Sequence, residues 1–187
     1  MTHRRSRAAV PRWVWPVGLA LLALVVVRLV AVQTFAVPSA SMAPTIEPGD
    51  RLLVNRLDRG ELRRGDLVVF DGARVFGSPS DYVKRVIGLP GDRVRCCDEA
   101  GRLTVNGAPL DEPYVYPGDA ASDVTFDVQV PDGRLWVLGD HRSDSADSRA
   151  YLGQPEGGML SQDDVIGQPW VRYWPLDRLG RVDGAAS

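Results

Sequence analysis

Lys84 is the sole lysine of a 187-residue chain that carries 21 arginines. A solvated positive charge is served equally well by either side chain, so a composition this biased would replace a lysine that only carries charge. Arginine is never deprotonated in proteins, whereas a desolvated lysine loses its proton near neutral pH and can act as a base or a nucleophile. A serine hydroxyl is a poor nucleophile until such a base takes its proton. Histidine is the usual base, but His3 precedes a long apolar run and only His141 lies beyond it. A neutral lysine can replace it, and Ser-Lys pairs are a known variant of triad logic. The lysine pKa must then fall by several units, which requires desolvation by apolar neighbours. Val83, Val86 and Ile87 flank Lys84. In a strand, Tyr82, Lys84 and Val86 would share one face, with Val83 and Arg85 on the other. Packing against a second apolar strand such as LVVF (67–70) would bury the amine.

Four segments hold the residues with chemical potential: PSASMAPTI (38–46), RGDLVVF (64–70), YVKRVIGLPGD (82–92) and GDHRSDSADSR (139–149). The elements that must position them read as β. Short apolar runs recur at 51–54, 67–70, 82–87, 103–105, 135–138 and 170–174, and Gly-Asp pairs punctuate them at 49–50, 65–66, 91–92, 118–119 and 139–140. Such pairs are turn residues in the simplest reading. Nothing repeats at fixed period, and after residue 40 no segment keeps helical periodicity beyond two turns. The expected fold is all-β: a domain of twisted antiparallel sheet over 38–187. Residues of about 98–133, richer in Asp, Gly and Pro, form a smaller projecting excursion with hairpins of its own.

Composition bounds what the domain can meet. A hydrophobic content of 44% permits a real core, and 19 glycines with 14 prolines favour loop-rich β structure. Residues 38–187 hold 16 arginines and one lysine against 24 acids, a net charge of −7, which argues against nucleic acid as a partner. Residues 1–12 are a basic tail with four arginines and no acid. From Trp13 to Val37 the only charge is Arg28. As a helix this run is about 37 Å long, enough to cross a hydrocarbon core of about 30 Å. The tryptophans suit the interface and the preceding arginines predict a cytoplasmic N-terminus. The run is longer than a typical signal h-region and lacks a small-residue cleavage site, so a retained anchor is expected at 13–37, not a cleaved signal. Arg28, about 22 Å along the helix, would snorkel to the outer interface. Cys96 and Cys97 are adjacent. That spacing excludes a CxxC metal site and leaves open a vicinal disulfide, a link to another chain or two ordinary thiols.

Taken together, in this order and behind an apolar N-terminal run, the four segments resemble bacterial type I signal peptidases, membrane-bound Ser/Lys proteases that remove signal peptides from exported proteins. The resemblance covers the chain from residue 13 to about 175. It implies that Ser41 is the nucleophile and Lys84 its general base, with the Ser39 hydroxyl and the Ser41 backbone N–H forming the oxyanion hole. It implies that Ser145 orients the lysine ammonium and that Asp147 and Arg149 form a supporting ion pair. Phe35, Val37, Leu52, Val69 and Val83 match residues lining shallow pockets for the small −1 and −3 side chains of an Ala-x-Ala site. The expected partners are signal peptides of preproteins and the lipid bilayer. The expected location is the cytoplasmic (inner) membrane, spanned once, with the catalytic domain outside. No metal and no cofactor are expected, since HExxH, Walker-type loops and paired Cys ligands are absent. His141 departs from the family pattern, which more often has asparagine there. Close to the lysine, a protonated imidazole would depress its pKa further and a neutral one would pack.

Two rival readings use the same residues. A Ser/Lys protease that cuts itself needs a soluble scissile arm, whereas the segment before Ser41 is committed to the membrane. A membrane-anchored β-domain that binds without catalysis would have no need of Ser41 and Lys84 in these contexts.

Overall fold

The computed structural model describes residue 11 and residues 13–57 and 61–182. The basic tail and the Arg28 head group therefore lie outside the described residues. Helix α1 is Val14–Ala31. Pro16 sits in its first turn, where the missing N–H costs no helical hydrogen bond. The expected helix over 13–37 is corrected here. Val32–Ala36 is strand β1, paired antiparallel with β2 (Arg51–Asn55) in the register Val32↔Asn55 to Ala36↔Arg51. Gln33, Thr34 and Phe35 gain ladder bonds and a packed face there, which outweighs continuing a helix. Eighteen residues make about 27 Å of helix. Among the described residues no helix is long and apolar enough to cross a membrane. From Val14 to Ala23 and at Val25 the side chains of α1, including Trp15, Leu19, Leu21 and Leu22, are exposed.

Beyond β2 come β3 (Leu67–Asp71), β4 (Asp81–Gly88), β5 (Arg93–Cys96), β6 (Thr104–Val105), β7 (Ala108–Pro109) and β8 (Phe126–Gln129). They are followed by β9 (Arg134–Leu138), β10 (Leu160–Ser161), β11 (Val165–Trp174) and β12 (Gly180–Arg181). The larger sheet runs β1-β2-β11-β3-β4-β9-β10, with β12 on β11, and every pairing is antiparallel. Strand β11 bridges two neighbours: its start pairs with β3 and its remainder with β2. Register shifts at Val165/Gly167, Pro169/Val171 and Arg172/Trp174 bend it, and bulges of this kind curl a sheet. Gly167 is required at the crossing, because a Cβ would strike the Asn55 carbonyl. The smaller sheet runs β7-β6-β5-β8 and starts at Arg93, earlier than the expected excursion.

Burial follows from the period-2 pattern. One cluster under β1, β2 and β3 holds Val37, Met42, Leu52, Val69 and Val83; a second holds Val68, Phe70, Val86 and Val137. A third joins the two sheets through Ile87, Val94, Phe126 and Trp136. Three of the Gly-Asp pairs are the turns that separate these strands. In residues 47–50, 63–66 and 89–92 the aspartate N–H bonds the carbonyl three residues back, while its carboxylate accepts from that residue's N–H. Gly49, Gly65 and Gly91 take φ of 91°, 94° and 86°, the type II geometry that favours glycine. Cys96 and Cys97 form a vicinal disulfide across a cis peptide bond, which settles the three-way question the sequence leaves open. Replacing fully buried Phe70 by alanine removes its ring contacts with Phe76, in the turn after β3, and with Tyr82 on β4. Phe70→Ala is expected to cost about 3–5 kcal/mol, read as a lowered denaturant midpoint of the detergent-solubilised chain.

Candidate active site

Ser41 rides on the loop joining β1 to β2. Val37 N–H donates to the Asp50 carbonyl and Gly49 N–H to the Val37 carbonyl, each at 2.9 Å, so the hairpin ladder continues into the loop. Met42 and Ile46, both fully buried, peg it to the apolar cluster beneath. Lys84 projects from the middle of β4, opposite Val68 of β3 in the ladder. Its Nζ donates to Ser41 Oγ at 2.6 Å, with Lys84 2% and Ser41 8% exposed. Ser39 Oγ is 3.3 Å from Ser41 Oγ. The pocket candidates Val37, Leu52, Val69 and Val83 belong to one buried cluster that includes Met42, with Phe35 packed against it.

Burial is the largest influence on the Lys84 amine and pushes its pKa down to about 8. Asp147, Asp140 and Asp144 pull it back up and Arg149 pushes it down. The net result follows from desolvation disfavouring the ammonium more than distant carboxylates favour it. A lysine so placed holds a useful fraction of free amine near neutral pH. In that form the hydrogen bond reverses, and the serine hydroxyl donates to the amine lone pair.

The 139–149 segment closes over this pair. A Cβ on Gly139 would collide with the Ser41 carbonyl and Ser145 Oγ, so only glycine lets the segment lie against the serine backbone. His141 N–H donates to the Ser41 carbonyl at 3.2 Å. The His141 ring stacks on Tyr116 with centroids 4.0 Å apart. Asp147 and Arg149 form a buried bidentate pair at 2.9 Å. Asp147 also accepts from Gly139 N–H, and Arg149 donates to the Arg142 carbonyl, so the pair ties down both ends of the loop. Ser145 makes no hydrogen bond to Lys84: its Oγ is buried without a partner.

Sequence reasoning missed the charged hub behind the pair. Arg85, next to Lys84 but on the opposite face of β4, gives Nε and Nη2 to the two carboxylate oxygens of Asp140 at 2.8 and 2.7 Å. Nη1 donates to the Gly65 carbonyl, and the guanidinium lies 3.9 Å over the Tyr114 ring. Thr45 Oγ1 donates to Asp140 at 2.6 Å, linking this hub to the Ser41 loop. The pair at 139–140 is thus no turn of the kind seen at the first three Gly-Asp sites. The available signal was the alternation along β4, which sends a charged side chain into the interior beside a buried lysine. Among the described residues no group of three or more His, Cys, Asp or Glu could hold a metal ion.

Comparison with known proteins gives the family of the chain as a whole. Residues 10–174 match the family described as "Signal peptidase, peptidase S26". The signal peptidase I of Bacillus caldolyticus is 39% identical over 190 residues, covering 94% of this chain and 96% of the relative. Signal peptidase I P of Bacillus subtilis subsp. natto is 32% identical over 187 residues, covering 95% and 96%. A crystal structure of a signal peptidase I from Enterococcus faecalis, 31% identical, covers 58% of this chain and 96% of its own, with a TM-score of 0.46.

The hub yields a stability test. Asp140→Ala leaves the Arg85 guanidinium buried without its carboxylate, and removing one partner of such a pair costs about 3–5 kcal/mol. The expected result is a correspondingly lower denaturant midpoint; an unchanged midpoint would show that the pair contributes nothing to folding.

Proposed function

Because the chain belongs to the signal peptidase family, peptidase S26, we propose that it is a membrane-anchored serine endopeptidase that removes N-terminal signal peptides from exported preproteins after small residues. The buried 2.6 Å contact between the Lys84 amine, its pKa lowered to about 8, and Ser41 Oγ carries this reading.

In the proposed mechanism neutral Lys84 takes the Ser41 proton as Oγ attacks the scissile carbonyl. The Ser39 hydroxyl and the Ser41 backbone N–H then donate to the oxyanion, and one such donor is worth about 3 kcal/mol of transition-state stabilisation. Formation of the ammonium frees Ser41 from its hydrogen bond with the amine. Ser145 Oγ, buried and without a partner, is available to receive one of the new ammonium N–H groups. Lys84 next gives its proton to the leaving amine, whose C–N bond breaks. Water, deprotonated by the same amine, releases the acyl group from Ser41. Asp147 and Arg149 act as supports for the loop, as their buried bidentate pair suggests. The proposed lining for alanine at −1 and −3 is Phe35, which is partly exposed, backed by the buried cluster of Val37, Leu52, Val69 and Val83.

Membrane anchoring rests on α1. From Val14 to Ala23 and at Val25 the described side chains of α1 are exposed, and Trp15, Leu19, Leu21, Leu22 and Val25 present an apolar surface that suits lipid. The proposed orientation keeps the basic tail in the cytoplasm and the β-domain outside.

Detergent-solubilised enzyme is expected to cut an Ala-x-Ala preprotein after the −1 residue. Lys84→Arg, which keeps the charge but cannot act as base, and Ser41→Ala should each lower kcat by at least about 10³-fold while leaving the melting transition cooperative. If Lys84→Arg cuts like the parent, Lys84 is not the base. The base must be neutral, so kcat/KM should rise about tenfold per pH unit below pH 8 and level off above it. Ser39→Ala should lower kcat about 10²–10³-fold with little change in KM.

A further inference from the structure

The geometry points to Tyr116 and His141 as specificity-determining residues that contact the first residue after the scissile bond. This rests on the peptidase reading above and adds the leaving-group side of the same site.

Strand β4 divides the surroundings of Lys84. On the β3 side lies the apolar cluster of Val37, Leu52, Val69 and Val83. On the other side lies β9, which leads directly into Gly139 and His141. A peptide whose scissile carbonyl sits at Ser41 must place its two halves on these two sides. The half carrying small −1 and −3 side chains is assigned to the side of this cluster, where Phe35 is partly exposed, so the leaving half crosses towards residues 139–141. There the His141 N–H holds the Ser41 carbonyl at 3.2 Å, and the His141 ring lies flat on Tyr116.

The stack is built to be held still. Tyr116 N–H donates to the Asp140 carbonyl at 2.9 Å. The segment that carries Tyr116 is clamped to the 139–149 loop by three residues of that loop. Arg142 pairs with Glu112 and donates to the Ala121 carbonyl. Ser143 donates through both its N–H and Oγ to Asp119. Arg149 pairs with Asp123. Yet Tyr116 stays 39% exposed, so this fixation does not serve core burial. His141 Nδ1 is buried without a hydrogen-bond partner, a cost that native structures tolerate chiefly where a site has a use for the group. A rigid, part-exposed pair of flat rings beside a nucleophile is a platform for a flat side chain, which aromatic stacking favours over a branched aliphatic one.

The test is a competition assay with the full chain in detergent. Two preproteins share alanine at −1 and −3 and carry phenylalanine or valine at +1; a second pair varies only −1, alanine against valine. A ratio of kcat/KM between competing substrates does not depend on how much enzyme is folded. Tyr116→Ala and His141→Ala are expected to lower the Phe:Val ratio at +1 by about three- to tenfold and leave the −1 ratio unchanged. Tyr116→Phe is expected to keep the parental ratios. An unchanged +1 ratio in both alanine variants would overturn the inference while leaving the peptidase reading intact. Equal shifts in both ratios would also overturn it, since they indicate a loosened site. A parent enzyme that cuts no preprotein would overturn the peptidase reading, and this inference with it.

Discussion

Burying one amine is the constraint around which this domain is organised. A lysine at the surface titrates near 10.5, so a domain that uses it as a base must remove it from water without supplying it a close carboxylate. Both conditions are met at Lys84, which is 2% exposed and has the Ser41 hydroxyl as its hydrogen-bond partner at 2.6 Å. The carboxylates that act on it do so at longer range and are committed elsewhere: Asp147 to Arg149 and Gly139, and Asp140 to Arg85 and Thr45. Arg149, the partner of Asp147, itself pushes the Lys84 pKa down, so this ion pair bears on the amine as well as on the loop.

Adjacent positions on β4 thus carry opposite solutions to the same problem. Arg85 stays charged in the interior because Asp140, the Gly65 carbonyl and the Tyr114 ring surround it. Lys84 lacks such an ion pair, and its proton becomes mobile. Strand alternation separates the two by sending them to opposite faces. Exchanging their types would leave the permanent charge against Ser41 and the labile one in the ion pair.

Much of this was legible from residue types, and the reasons differ by position. The bias against lysine singled out Lys84, which the structure buries against Ser41 Oγ. The apolar runs at 51–54, 67–70, 82–87 and 135–138 coincide with strands because period-2 burial is written locally. Helix α1 ends at Ala31 instead of running to Val37 because the partner that captures Val32–Ala36 lies in β2, and no local pattern announces it. Asp140 looked like the other Gly-Asp turns, since two residues do not reveal whether the carboxylate turns back on its own loop or reaches Arg85. Tyr116 carried no local cue: its meaning comes from the loop folding back onto residues 139–149.

The direct passage from α1 into β1 also fixes a length. Five residues of strand at about 3.3 Å each span roughly 17 Å, and Val37 is already held to Asp50 when the Ser41 loop begins. No flexible tether lies between the helix and the nucleophile. On the proposed anchoring, the chain would act as a gauge of standoff, with Ser41 held at a set distance from the end of α1.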